Sequence, residues 1–506
     1  MAQPGVGARP RFSPSPCDAQ FQTNTTLISI AEIGEWLPII SCPADFPLEL
    51  FENAVDQLIH HPEYNSTLIL RSETVSETAY AEDNPSGILQ DLRPVHNIHR
   101  KLLPRRPGRD ATLEQNCTLY ASTTGEFAGI PSTLVLTPLL APGESLPYYH
   151  PKVRHLAFRY VPSTLAILRI EAVVLPGTPT DLDSRLYRTS LALLETLHRY
   201  GWGALTNYQK RVKHDCVIPR EEYQDLYLVM RERHKHLVGE WKEVTDPLKH
   251  VFEDIGIATY LMLLWKKSFG ASDGSPDNPW APGSDSDRAW KRWPRPPGGF
   301  LDLGCGNGLL THILVSEGYE GHGIDLRART SWGHYPERTQ AALHVHALDP
   351  TQYTRSTPGT HSDDPYLSPG AFFIGNHADE LTPWLPVLAT LENASGYLSI
   401  PCCSWSFDER FSRSPSAKFS DSNLGSIVDD TFVEGLNLGG EGGHRSQYSM
   451  YRIWLASLSR WLGWKVECDT LRIPSTRNWA IIDIIQDVVQ RGAFKTRKPE
   501  GKAGDH

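Results

Sequence analysis

The chain has 506 residues, a formal net charge of −10, and 21% charged residues. Its length exceeds one compact core and calls for two or three domains. The acidic balance excludes a protein that coats nucleic acid through bulk charge, so any polyanion must meet local basic patches. The longest apolar run, near residues 257–265, is too short to span a bilayer, which leaves no membrane partner. Eight cysteines are scattered without C-x-x-C pairs, which suits a reducing compartment, and no metal site is expected. The first sixteen residues lack the apolar core of a secretory signal, so a cytoplasmic setting is expected.

In chain order, residues 1–20 are rich in Pro, Ser and Ala and read as a disordered tail. Over residues 46–59, Leu48, Phe51, Val55 and Leu58 recur at helical spacing. Strand-like runs follow at 67–70, 132–136 and 165–175, so residues 21–180 are expected to form a mixed α/β domain. It carries a Pro- and Arg-rich loop at 93–109 and no catalytic cluster. Residues 181–267 read as a helical connector packing on the next domain. One helix starts near Asp183, with Leu186, Leu194 and Leu197 on one face. A second opens after Pro219 with a Tyr223, Leu226, Tyr227, Met230 stripe. A third, capped by Thr245-Asp246-Pro247, is long and apolar enough to cover a sheet. Residues 268–298 read as a flexible insertion and 491–506 as a basic disordered tail. Basic runs at 100–109, 210–213, 288–295 and 491–498 are the candidate polyanion contacts, each more often a solvated surface.

The centre of the last domain, 299–490, is the stretch FLDLGCGNGLLTHILVSEGYEGHGID at 300–325. It reads as a strand, a glycine turn and a helix, followed by a second strand ending at Asp325. Glycines let a backbone approach a ligand and adopt positive φ, and a carboxylate at the second strand's tip accepts bonds from ribose hydroxyls. Dinucleotide sites share that logic. Here Asp302 precedes the glycines and the turn reads D-L-G-C-G-N-G. That spacing favours S-adenosylmethionine, whose ammonium and sulfonium groups suit carboxylates and carbonyls better than a phosphate cradle does. Further strands are expected at 341–348, 371–374 and 396–400, then a long loop at 412–446, a helix at 447–462, and a closing strand pair at 464–471 and 478–488. Five parallel strands and a terminal hairpin make the expected fold α/β, a Rossmann-like S-adenosylmethionine-dependent methyltransferase sheet.

Strand tips share the ligand in such a sheet. The candidate cofactor residues are Asp302, Gly304, Cys305, Gly306, Asn307, Gly308, Asp325, Leu326, Asp349 and Asn376. Asp349 is expected at the adenine amine, with a simple turn as the alternative. The fourth strand's tip supplies His377, Asp379 and Glu380 as candidate catalytic groups, or as a helix cap. Among them, Asp379→Ala is expected to reduce turnover far more than cofactor affinity. Cys402 and Cys403 are weighed as a nucleophile against simple packing.

The motifs VKHDCVIPREEYQDLY, TDPLKHVFEDIGIA, FLDLGCGNGLL with GIDLRARTSW, IGNHADELTPW, IPCC and LRIPSTRN occur in that order. This series resembles the eukaryotic tRNA (uracil-2'-O-)-methyltransferase family, which methylates the ribose of uridine 44, beside the variable arm of serine tRNAs. The resemblance covers residues 212–478 and implies S-adenosylmethionine as donor, tRNA as acceptor with no DNA partner, and a cytoplasmic setting. It brings Arg472, Ser475, Thr476 and Arg477 forward as substrate-binding candidates, with His250 and Glu253 as possible supports. A K-D-K-E tetrad is not evident. The competing expectations are a protein or small-molecule methyltransferase, and a non-catalytic RNA-binding scaffold with a vestigial cofactor pocket.

Overall fold

The computed structural model describes residues 9–17, 26–29, 34–81, 89–208, 212–270, 289–353, 364–412, 429–439 and 446–484. The expected basic tail at 491–506, with its 491–498 run, lies outside these residues. So do most of the 1–20 tail, most of the 268–298 insertion, most of the 412–446 loop, and positions 210 and 211. The chain forms two compact units, Met1–Gln209 and Lys210–His506. Among the described residues, no helix is long and apolar enough to cross a membrane.

In the first unit, eight strands form one antiparallel sheet in the order β1-β2-β8-β7-β6-β5-β4-β3. They are β1 (Ser15–Pro16), β2 (Leu37–Pro43), β3 (Ile69–Ala79), β4 (Leu92–Pro104), β5 (Leu113–Ser122), β6 (Pro131–Leu139), β7 (Val153–Val161) and β8 (Ile167–Val174). Helices α1 (Phe51–His60) and α2 (Arg185–Leu205) bury Phe51, Val55, Leu58, Leu186, Leu194 and Leu197 in a core shared with Ile40, Leu134, Phe158 and Ile170.

Three expectations are corrected here. The loop expected at 93–109 is a strand through Pro104, because Ile98, Arg100, Leu102 and Pro104 alternate inward with period two. Ser15 and Pro16 belong to the sheet instead of a tail, with Phe12 packed on the core. The connector expected over 181–267 is divided: α2, capped by Ser184 Oγ accepting from Tyr187 N at 3.1 Å, completes the first unit's core.

The second unit contains a seven-stranded sheet in the order β11-β10-β9-β12-β13-β17-β16. Strands β9 (Phe300–Leu303), β10 (Gly321–Asp325), β11 (Leu343–Val345), β12 (Phe372–Asn376) and β13 (Gly396–Ile400) are parallel. A short ribbon, β14 (Trp405–Ser406) and β15 (Glu409–Arg410), intervenes, and the hairpin β16 (Glu467–Thr470) and β17 (Trp479–Ile484) closes the sheet with β17 antiparallel to β13. The strand expected at 341–348 shrinks to three residues and the one at 464–471 to four, while the expected 478–488 strand runs from Trp479 to Ile484 within the described residues.

These strands are apolar at nearly every position because both faces are covered. Phe300, Phe372, Ile374, Leu398 and Ile400 face the layer of α3 (Arg220–His234), α4 (Pro247–Phe269) and α5 (Leu309–Ser316). Leu301, Leu303, Phe373 and Tyr397 face the opposite layer, which includes the helix Gln447–Trp461. Helix α4 starts where expected, with Asp246 Oδ1 accepting from Leu248 N at 3.0 Å and Pro247 in its first turn. Near its far end Trp265 packs on Phe300, Tyr319 and Phe372. Buried Glu317 ties this layer together by accepting from Arg233 Nε (2.9 Å), His234 Nε2 (2.7 Å) and Trp290 Nε1 (2.9 Å). Burial opposes its ionisation, but the bonds from His234 and Arg233 outweigh that and hold its carboxyl at about 2.

Candidate active site

A cavity of about 840 Å³ opens at the carboxyl ends of β9, β10, β12 and β13, with the start of α4 and the turn before β17 on its rim. Gly304, Gly306 and Gly308 all have positive φ, +69°, +55° and +74°. At Gly306 an added Cβ would meet nothing within 4 Å; at Gly308 it would lie 2.8 Å from Leu343 Cδ1 and 3.2 Å from Trp332 Nε1. The first glycine therefore leaves the turn open to a ligand, and the other packs the turn onto its own scaffold. Trp332 Nε1 donates to Gly306 O at 2.9 Å, and Gly306 N donates to Asp325 Oδ2 at 2.9 Å. The tip of β10 is thus bonded directly to the loop.

Asp302 is 1% exposed. Its Oδ2 accepts from Thr311 Oγ1 at 3.0 Å, while Oδ1 has no hydrogen-bond partner among the described residues. Burial pushes its carboxyl up to about 7; the Thr311 bond opposes that rise and the nearby Asp325 charge adds to it. Asn376 Oδ1 is likewise buried and unpartnered, while its Nδ2 donates to Asp254 Oδ1 at 3.2 Å. Burial, with the charges of Glu253 and Asp302, raises Asp254 well above the ordinary carboxylate range. Orphaned acceptors and acids on one wall fit a ligand that carries an ammonium and a sulfonium, as S-adenosylmethionine does. Cys305, Asn307 and Leu326 also line the cavity, whereas Gly308 stands behind it.

At the end of β12, His377 and Asp379 adopt φ of +56° and +42°, a left-handed conformation uncommon for side-chain-bearing residues and concentrated at functional sites. His377 Nε2 lies 3.2 Å from Glu253 Oε1, and Nδ1 is buried without a partner among the described residues. Burial favours the neutral form of Glu253, but hydrogen bonds from His377 and Ser475 and the His377 and Lys249 charges bring its carboxyl below the ordinary value. An ionised carboxylate only accepts, so Nε2 carries a proton, and in the neutral ring Nδ1 then carries the lone pair. Asp379 Oδ1 accepts from Cys402 Sγ at 3.2 Å. Burial and Asp379 push the Cys402 thiol far up, which leaves a poor nucleophile. Asp379, Cys402 and Cys403 present one ligand atom each within 4.8 Å of one another. Glu380 also lines the cavity.

Two further expected site residues, besides Gly308, stand off the wall. Asp349 is not on the cavity wall: its carboxylate accepts from Thr351 N (3.1 Å), Thr351 Oγ1 (2.7 Å) and Gln352 Nε2 (3.1 Å), the turn role open to the residue that precedes the short helix Pro350–Tyr353. His346 and Leu348 line the wall in its place. Arg472 forms a two-point pair with Asp215, Nε to Oδ1 at 2.7 Å and Nη2 to Oδ2 at 2.6 Å, and does not line the cavity. Ser475, Thr476 and Arg477 of the same turn do line it, with the Arg477 guanidinium 3.8 Å above the Tyr448 ring.

Lys249 and Asp254 were not singled out from sequence. They lie with His250 and Glu253 on one face of α4 as two adjacent pairs, 249–250 and 253–254, four positions apart, and all four line the cavity. The legible signal was the pair of acids interrupting an otherwise apolar helix.

Residues 217–276 and 289–350 match a family model described as a predicted AdoMet-dependent methyltransferase, and residues 15–211 match one described as a TRM44-like, N-terminal Bet v1-like domain. With the glycine loop and its orphaned acceptors, the first match defines an S-adenosylmethionine-dependent methyltransferase. The curated tRNA (uracil-O(2)-)-methyltransferase of Schizosaccharomyces pombe is 33% identical over 482 residues, spanning 88% of this chain and 85% of the relative. Proteins of the same description from Neurospora crassa and Saccharomyces cerevisiae are 31% and 30% identical, spanning 88% and 89% of this chain and 86% and 87% of their own lengths. The chain belongs to the tRNA (uracil-O(2)-)-methyltransferase family.

Proposed function

We propose that the protein transfers a methyl group from S-adenosylmethionine to the ribose 2'-hydroxyl of a uridine in tRNA, and that this uridine is the one beside the variable arm of serine tRNAs. The observation that carries the reading is one cavity lined by both the Asp302 glycine loop and the His377–Glu253 pair. The family membership supports the acceptor and a cytoplasmic setting, and the strand order with its antiparallel β17 supports a Rossmann-like methyltransferase sheet.

On this reading Asp302 Oδ1 and Asn376 Oδ1 receive the donor's ammonium, Asp325 its ribose hydroxyls, and His346, Leu348 and Leu326 flank its adenine. Bound S-adenosylmethionine supplies a methyl already activated on sulfur. The protein's share is then mainly alignment of the acceptor oxygen, an effect worth roughly 7–11 kcal/mol when orientation is good. A ribose hydroxyl is a weak acid, and His377 Nδ1 is the base that takes its proton. Glu253 holds the imidazole in that tautomer and stabilises the imidazolium that forms. Base catalysis of this kind contributes on the order of 10²–10⁴-fold. Lys249, Arg410 and Arg477 on the rim receive backbone phosphates.

The test is incubation with methyl-labelled donor and serine tRNA, followed by nuclease mapping. Label in the ribose of the uridine next to the variable arm is expected. Label that survives ribonuclease treatment of the acceptor would transfer the reading to a protein or small-molecule methyltransferase. A protein that binds no S-adenosylmethionine in calorimetry would be a scaffold.

A further inference from the structure

The ribbon of β14 and β15 carries an aromatic ring that the fold does not use. Its pairing sets Trp405 opposite Arg410 and Ser406 opposite Glu409. The chain around that ring is well anchored. Ser406 is buried, Phe407 in the turn packs on Trp384 (ring centroids 4.7 Å apart) and Trp454 (5.8 Å), and Phe411 packs on Tyr451 and Trp454. Trp405 does the reverse. It is half-buried, and among the described residues it joins none of the apolar clusters of the second unit, meets no other aromatic ring and makes no hydrogen bond through Nε1. A tryptophan normally buries a large apolar area and finds its N–H a partner. This one lines the active-site cavity instead.

Arg410, exposed and on the same cavity, covers one face of the ring with its guanidinium 4.1 Å from the centroid. Arg477 and Tyr448 form a similar pair, but Tyr448 packs on the opposite layer's core and donates its hydroxyl to Pro401 O at 2.7 Å, so that ring already has a structural use. Short links tie Trp405 to the acceptor chemistry. Its N–H donates to Cys403 O at 3.1 Å, and Cys402 Sγ donates to Asp379 Oδ1 at 3.2 Å, two positions beyond His377.

A nucleotide that enters a cavity gives up its stacking within the RNA, and RNA-binding sites replace that loss with aromatic faces and guanidinium planes. A ribose held only by its flanking phosphates can still turn about the backbone. A stacked base stops the turn and fixes which oxygen faces the methyl group. Building on the function proposed above, we propose that Trp405 is the platform on which the target uracil stacks, with the Arg410 guanidinium on the ring's other face and beside a flanking phosphate. Trp405 then binds the acceptor and positions its ribose at His377.

The test uses the full-length protein with S-adenosylhomocysteine bound and the tRNA that the parent methylates, compared with the same tRNA lacking only the base of the nucleotide to which the label maps. Removing the base is expected to weaken parent binding by roughly 5- to 150-fold, the range for one base on one aromatic ring. Trp405→Ala binds the intact tRNA as weakly as the parent binds the abasic one and no longer separates the two, while S-adenosylhomocysteine affinity and circular dichroism stay at parent values. Trp405→Phe restores most of the difference. Independently of any variant, 5-iodouracil at the target position crosslinks to Trp405 under near-ultraviolet light, read by mass spectrometry. A parent indifferent to the base, a Trp405→Ala protein that still separates the two RNAs by the parent's factor, or a crosslink on another residue overturns the proposal and leaves the methyltransferase reading standing. A protein that methylates no tRNA overturns both.

Discussion

Asp302→Asn removes the charge from the donor side of the cavity while keeping the side chain's volume. In the free protein burial moves the carboxyl from its ordinary 3.8 to about 7. A group whose folded-state value is raised contributes stability at low pH that is lost as pH rises through that value. The displacement corresponds to something on the order of 4 kcal/mol. Asparagine carries no such penalty, so the free variant should be more stable than the parent above pH about 7, and the advantage should vanish near pH about 4. Donor binding should behave in the opposite way. At pH about 6 roughly a tenth of the free parent has Asp302 ionised, and at pH about 8 roughly nine-tenths, so S-adenosylhomocysteine affinity should rise about tenfold between them. Losing a charge-assisted hydrogen bond costs roughly 1.5–3 kcal/mol, or about 10- to 150-fold in Kd. Calorimetry across that pH interval measures affinity, and paired buffers of different ionisation enthalpy count the protons released. An asparagine variant that retained both the parent's affinity and its pH slope would show that Asp302 does not bear the ammonium.

His377→Ala should lower kcat by roughly 10²–10⁴-fold with cofactor affinity within a factor of about two. Glu253→Gln keeps an acceptor for Nε2 but removes the charge, so an intermediate loss of kcat and an unchanged tRNA KM are expected in single-turnover assays; Asp379→Ala should cost less than His377→Ala. Glu317→Gln leaves Arg233 and His234 without their shared counter-charge, which should destabilise the second unit by roughly 3–5 kcal/mol in thermal unfolding. Because the Glu317 carboxyl is held at about 2, its contribution is present above its unfolded value near 4.5 and lost as pH falls toward 2, so parent and variant should converge on acidification. Gly306→Ala costs the left-handed φ, roughly 1–2 kcal/mol, and puts a methyl into the space left open to the ligand, so it should weaken S-adenosylhomocysteine binding more; Gly308→Ala adds a clash with Leu343 behind the cavity and should cost more in thermal stability.

The parallel half of the fold was readable because its signal is local and redundant. Strands covered on both faces are continuous apolar runs, and β9 and β10 end at a glycine and an acid where the chain turns toward the ligand; 300–325 shows both within one window. The first unit was harder to read. An antiparallel strand with one covered face announces itself only by alternation, and in β4 the inward set includes Arg100 and Pro104, residues that composition assigns to loops. Helix α2 starts within two residues of the expected Asp183 but runs to Leu205 and packs on the first unit, since an apolar stripe specifies that a helix packs without saying on which sheet.

At the site, legibility followed the same division between local and long-range chemistry. Residues whose role depends on their own backbone, Gly306 or Asp325, stood out from spacing alone. Residues whose role depends on a distant partner did not. Arg472 and Arg477 share one turn and one charge, yet Asp215 claims the first and leaves the second facing the cavity, a separation of 257 positions in sequence that no motif encodes. His377 and Glu253 are 124 positions apart. Without Glu253, His377 is one of three equivalent candidates at the end of β12; with it, the tautomer is set, Nδ1 becomes the free lone pair, and the choice among the three acquires a physical basis. Asp379, the candidate first in line from sequence, is instead engaged by Cys402. In the proposed mechanism the base is therefore defined by α4 as much as by the end of β12, and exchanging Glu253 for Gln tests that dependence without touching the imidazole.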